Sequence, residues 1–206
     1  KVLLERNSDK TEAILCCAVT VIRDTLVFLD EYNRPTRDII HWLDARKCDF
    51  DNPFPAWKTA AFRIVGMDKG SKVGYRTSKV NGVRQNQPDV WEKTKKIVTL
   101  PAYLNFRMTG KLIDSPANTI AHIRMDFKRK TWMSKNALTR CLYDVPQEKL
   151  YELIPSGEVL GYVSAEASEL SGVPEGMPLI ATGADKACET LGLSVDSDAK
   201  AAIRFG

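Results

Sequence analysis

The chain has 206 residues, enough for one large domain or two small ones with a substantial buried core. Its 44% hydrophobic and 27% charged residues are the balance of an ordinary globular protein, and no apolar run approaches the ~20 residues of a membrane helix. The net charge of +4 is mild, and five scattered cysteines with two histidines and no C-x-x-C pair argue against a zinc site or a disulfide framework.

Free, buried thiols in a reducing compartment follow, and a cytoplasmic location with no membrane partner. Lys1 to Lys10 holds no apolar core long enough for a signal peptide. Along the chain, Ile14 to Leu29 carries two apolar, β-branched segments with Arg23-Asp24 between them. They read as one bent strand or two strands, ending in the turn Asp30-Glu-Tyr-Asn-Arg-Pro35. Ile39-Ile-His-Trp42 predicts a short buried strand, Cys48 to Pro55 a loop, Ala56 to Val65 a short helix, and Gly66 to Ser71 a loop again.

Between Lys69 and Lys111 ten Lys or Arg stand against two acids, Asp89 and Glu92. The mostly apolar Trp91, Thr94, Ile97 and Val98 interrupt them at helical spacing, which favours a solvated helix surface over a nucleic-acid-binding one. Pro88 opens a helix in its first turn, Leu100-Pro101 starts another, and Gly110 suits its C-cap. Phe127 to Trp132 predicts a turn into a helix through Leu142. Val159 to Val163 reads as a strand, Ala165 to Ser171 as a turn or two of helix, and Met177 to Thr182 as a strand. The alternation of strand and helix argues an α/β layer fold.

Asp185 is the most informative residue. The apolar Leu179 to Ala181 runs into Thr182-Gly-Ala184, and a helical pattern follows. One carboxylate is thereby left where a strand ends and a helix begins. Ligands collect beyond the carboxyl ends of strands in open α/β sheets, and such a carboxylate can take a proton from a hydroxyl. An ordinary helix-capping aspartate is the alternative. Arg23-Asp24 is an adjacent donor–acceptor pair in an apolar run. Short of neighbours that could satisfy it within that run, the pair can hold both oxygens of a vicinal diol; a strand-end ion pair or a turn-forming Asp is the alternative.

Four stretches in order resemble the N-terminal domain of the FGGY family of carbohydrate kinases. They are Ala18 to Glu31, Arg37 to Arg46 with its W-x-D-x-R spacing, Pro88 to Gly110, and Gly157 to Asp185. The resemblance implies a ribonuclease H-like, actin-like α/β domain, with a mixed sheet and flanking helices, spanning residues 1–206 of an incomplete N-terminal domain. It implies ATP and Mg2+ as cofactors, a sugar or polyol as the small-molecule partner, no nucleic acid, and room for a homodimer. Asp185 becomes the general base, and Arg23, Asp24, Trp42, Tyr75 and Lys186 become substrate contacts. Trp42 is equally readable as a core residue and Lys186 as an exposed lysine of a first helical turn, while Asp44 and Arg46 can brace a turn. Gly206 falls where the family continues into a nucleotide-contacting turn. The family's Asp-x-Gly-Thr phosphate loop and second domain are not in this sequence, so half an active site is expected. A non-catalytic actin-like binding module is the alternative function.

Overall fold

The computed structural model describes residues 2–194, 200 and 201. In chain order the helices are α1 (Val2–Arg6), α2 (Ala56–Ile64), α3 (Asp68–Thr77), α4 (Lys79–Asn86), α5 (Pro88–Lys93), α6 (Leu100–Thr109), α7 (Ala165–Ser171) and α8 (Asp185–Gly192). The strands are β1 (Cys17–Ala18), β2 (Leu26–Leu29), β3 (Lys96–Thr99), β4 (Ile113–Asp114), β5 (Met125–Asp126), β6 (Thr131–Trp132), β7 (Glu152–Leu153), β8 (Val159–Tyr162) and β9 (Pro178–Ile180). No helix among the described residues is long and apolar enough to cross a membrane.

The chain divides into two compact units. The first comprises Lys1–Arg23, Leu100–Thr119 and Glu152–Gly206; the second comprises Asp24–Thr99 and Ile120–Tyr151. The peptide joining Arg23 to Asp24 is therefore a boundary, and the two apolar segments of Ile14 to Leu29 are two strands in different units.

The first unit is built on a mixed three-stranded sheet in the order β1-β9-β8. β9 is the centre: β1 runs parallel to it with Cys17 opposite Leu179, and β8 runs antiparallel with Tyr162 opposite Pro178. Leu179 is fully buried and packs with Ile113, Leu160 and Ala181. A second cluster of Val163, Ala167 and Met177 seats α7 on the same core. Ser164 caps α7 by accepting the Ala167 N–H at 3.2 Å, the arrangement a serine before an Ala-Glu-Ala run favours. Gly110, at φ 76°, closes α6 as the sequence predicts.

In the second unit, β2 is an unbroken Leu-Val-Phe-Leu run with every side chain fully buried. Covered on both faces, it needs no polar alternation. It pairs antiparallel with β3, Leu26 opposite Thr99. A separate cluster joins Phe54, Phe62 and Leu142.

Four expectations are corrected here. Ile39-Ile-His-Trp42 is not a buried strand: only Ile40 is buried, and it forms a single antiparallel bridge with Leu26 before the chain turns at Asp44. Gly66 to Ser71 is not all loop, because α3 begins at Asp68. Its Gly74 lets the helix pass against the Tyr143 hydroxyl, which a Cβ there would meet at 3.1 Å. Tertiary contact overrides the weak helix propensity of two glycines. Trp91, Thr94, Ile97 and Val98 are not one helical face, since Ile97 and Val98 lie in β3. Phe127 to Trp132 is a tight turn into β6 of a hairpin, and the segment through Leu142 is a 3-10 turn, Leu138–Tyr143.

Candidate active site

The run Pro178 to Gly192 folds as its pattern requires: strand, three-residue loop, helix. Ala184 is the N-cap of α8 and Asp185 its first helical residue, where the helix dipole favours a carboxylate. Asp185 Oδ1 accepts the Lys186 N–H at 2.8 Å, but the N-cap is Ala184 with no side-chain capping bond, so Asp185 is not the N-cap aspartate of the alternative reading. The rest of the carboxylate faces two cations. Arg23 Nε stands 3.8 Å from Oδ1, and Lys186 Nζ 3.4 Å from Oδ2. Lys186 Nζ is also 3.7 Å from Glu189. Asp185, Arg23 and Lys186 thus come together in the first unit, partly open to solvent.

The loop that aims Asp185 is clamped by neighbours in the same unit. Ala184 N–H donates to Ala117 O at 3.0 Å, Thr20 Oγ1 to Gly183 O at 3.0 Å, and Ser115 Oγ to Thr182 O. Gly183 permits a close approach to α8: a Cβ there would sit 3.0 Å from the Ala187 Cβ. Cys188 donates its thiol to Gly183 O at 3.3 Å.

Residues 114–119 complete the clamp, and the sequence reading missed them. Asp114 is fully buried; its Oδ1 accepts the Ser115 N–H at 2.8 Å and Asn118 Nδ2 at 3.2 Å. Asn118 Nδ2 also reaches Val19 O at 3.1 Å. Burial pushes the Asp114 carboxyl up to about 7, against the hydrogen bonds of Ser115, Asn118 and Asn105. The available signal was turn chemistry, an Asp-Ser-Pro-Ala-Asn string just past a helix-ending glycine.

Asp24 belongs to the second unit and has its own partners, contrary to the expectation that it lacks them. It adopts a left-handed conformation, φ 52°, which aspartate tolerates. Its N–H donates to Ile120 O at 2.8 Å, and its Oδ1 accepts the His122 N–H at 2.9 Å. Oδ2 meets His122 Nδ1 at 2.9 Å and Lys79 Nζ. Burial raises the Asp24 carboxyl, but the bonds from His122 and Lys79 outweigh it and hold the group below the usual carboxylate range. Lys79, counted in the sequence among solvated basic residues, is instead buried against this acid.

Trp42 is half exposed, tilted against His41 with ring centres 5.8 Å apart, so it is not a core residue. Tyr75 packs edge-on against Phe50 and Phe54, at 5.7 and 5.6 Å, and burial pushes its phenol up. Asp44 and Arg46 form a forked ion pair that holds the Asp44 carboxyl at about 2, the turn brace the sequence offered as one reading. Gly206 lies outside the described residues. Among the described residues no group of three or more His, Cys, Asp or Glu is arranged to hold a metal ion.

A carboxylate at a strand exit, flanked by a guanidinium and an ammonium on a clamped loop, offers both acceptors and donors to a polar ligand. Residues 2–192 match the FGGY family of carbohydrate kinases, N-terminal domain, and the chain belongs to that family. A xylulose kinase of Lactococcus lactis is 26% identical over 183 residues, covering 88% of this chain and 36% of the relative. The uncharacterized sugar kinase YgcE of Escherichia coli is 30% identical over 110 residues, 53% of this chain and 22% of the relative. Among solved structures, xylulose kinase from Rhodospirillum rubrum superposes with a TM-score of 0.61 at 21% identity, over 84% of this chain and 35% of the other. Plasmodium falciparum glycerol kinase with ADP gives 0.64 at 17% identity, over 94% and 40%. These likenesses establish the ribonuclease H-like, actin-like fold with its mixed sheet. The chain spans little more than a third of the length of the xylulose kinase it matches.

Proposed function

We propose that the whole protein transfers a phosphoryl group from ATP to a hydroxyl of a sugar or polyol, with Asp185 as the general base. The observation that carries this reading is the Asp185 carboxylate at the exit of β9, held by the first turn of α8 and flanked by Arg23 and Lys186, in a chain of the FGGY family. Phosphoryl transfer asks the protein for positioning more than for covalent chemistry. Asp185 orients the attacking hydroxyl and accepts its proton late, as oxygen bonds to phosphorus. Arg23 donates to a neighbouring hydroxyl oxygen, and Lys186 favours a substrate carrying an electron-rich or anionic end.

When bound, ATP would supply the phosphoryl group and Mg2+ would balance the charge that develops on it. The described residues offer no metal-binding cluster, and Gly206 lies outside them, so no step is assigned to a nucleotide-binding residue. For the sugar, the exposed ring of Trp42 supports stacking on a C–H face. Tyr75 fits an aromatic wall better than a hydrogen-bonding contact. Asp24 has both oxygens engaged, so its contribution runs mainly through the groups it fixes, His122 and Lys79.

The direct test is ATP consumption by the whole protein over a panel of polyols, ketoses and sugar acids. Saturable turnover with at least one of them is expected. Failure with every member, by a folded protein that binds ATP, would remove the reading.

A further inference from the structure

Three buried side-chain oxygens in the first unit have no hydrogen-bond partner: Asn105 Oδ1, Asp114 Oδ2 and Asn118 Oδ1. They belong to one cluster: Asn118 Nδ2 donates to Asp114 Oδ1 at 3.2 Å, and Asn105 Nδ2 donates at 3.3 Å to Ile113 O, the residue before Asp114. The groups acting on Asp114 are all uncharged: the Ser115 N–H and the two amides. A carboxylate so enclosed is costly. A proton on Oδ2 would supply a donor to a cluster whose two amide oxygens lack one. The same carboxyl shapes the 114–119 turn. Through Asn118 N–H to Ser115 Oγ at 3.0 Å, Ser115 Oγ to Thr182 O, and Ala184 N–H to Ala117 O, that turn grips the loop before Asp185.

We propose that Asp114 is a positioning residue for Asp185, setting the turn that fixes Thr182 and Ala184 and hence the direction of the Asp185 carboxylate. The inference rests on the reading of Asp185 as the reacting carboxylate. Asp114 touches no substrate; it acts through Ser115, Ala117 and Asn118.

The test uses the whole protein with Asp114→Ala, Asp114→Asn, Ser115→Ala and the Asp114→Ala/Ser115→Ala double variant. Asp114→Ala should lower kcat by roughly 10-fold or more with the sugar KM changed by less than about threefold, the signature of a misaimed group. Asp114→Asn keeps an acceptor for Ser115 and gains donors for the amide oxygens, so it should hold kcat within about threefold of the parent. Ser115→Ala cuts the same route, so the double variant should be no slower than Asp114→Ala. Hydrogen exchange should quicken in the peptide covering residues 182–188 and stay unchanged in that covering residues 159–163. If Asp114→Ala does not fold, Ser115→Ala carries both readouts. Parental kcat in folded Asp114→Ala or Ser115→Ala, multiplying losses in the double, or exchange that is unchanged or uniformly faster across the unit would each overturn the proposal. If the parent phosphorylates nothing, the kinase reading fails, and the exchange pattern alone decides whether Asp114 holds the loop.

Discussion

Arg23 Nε lies 3.8 Å from Asp185 Oδ1, joining residues 162 positions apart in one unit, while Asp24, next in the chain, is bound to Lys79 and His122 in the other. The two members of the expected diol-binding pair therefore have different partners. Arg23 is half exposed and flanks the carboxylate that we assign to the reaction. Asp24 organises a charged, partly buried centre.

An ion pair as open as Arg23–Asp185 contributes little to stability, about 0–1 kcal/mol. Arg23→Ala should leave the melting curve of the whole protein within that range. It should raise the sugar KM by roughly 10-fold or more, as loss of a charged hydrogen bond to substrate does. A destabilised variant with normal KM would make Arg23 a structural residue.

Asp24 should behave in the opposite way. Asp24→Ala leaves the buried Lys79 ammonium without its carboxylate, a loss of order 2–4 kcal/mol, read by chemical denaturation. The folded Asp24 carboxyl lies below its usual 3.8, so its contribution is present above that pH and is lost as the pH falls through the lower folded value. Acid unfolding of Asp24→Ala should accordingly be shallower. Unchanged stability would mean that the Lys79 and His122 contacts count for nothing.

Asp114 gives the reverse sign. Its folded carboxyl is raised to about 7 from 3.8, so the folded state holds a proton that the unfolded state has lost between those values. Stability should fall as the pH rises from about 4 to about 7, by at most ~1.4 kcal/mol per pH unit, and level off above. Asp114→Asn should remove that slope. A parallel pH profile for parent and variant would contradict the burial argument.

The loop itself can be probed at Gly183. Gly183→Ala places a Cβ 3.0 Å from Ala187, which must move, and Ala187 lies in the first turns of α8. A cost of about 1–3 kcal/mol is expected, with kcat reduced more than KM is raised. Ala187→Gly in the same chain should relieve the clash and restore kcat. No recovery would place the cause elsewhere.

Much of the framework was legible because it is local. The apolar run of β9, the loop after it and the polar first turn of α8 follow one another in sequence. β2 announces itself as four consecutive apolar residues, and α5 opens at Pro88. What was not legible depends on distant partners. Nothing near Asp24 tells of Lys79, 55 residues on, or His122, 98 residues on. α3 forms across two glycines because it packs, and Asp114 reads as a turn aspartate until its burial is known. Local pattern placed the carboxylate at the strand end; only tertiary contacts reveal what aims it.

The account turns on Asp185, and one substitution tests it most directly. Asp185→Asn keeps the side-chain shape and the Lys186 N–H contact while removing the charge that accepts a proton. In the whole protein, assayed with the sugar or polyol that it turns over, kcat should drop by roughly 100-fold or more with substrate binding changed little, as expected for a positioned general base. A variant that folds, binds the sugar and keeps near-parental kcat would contradict the central claim.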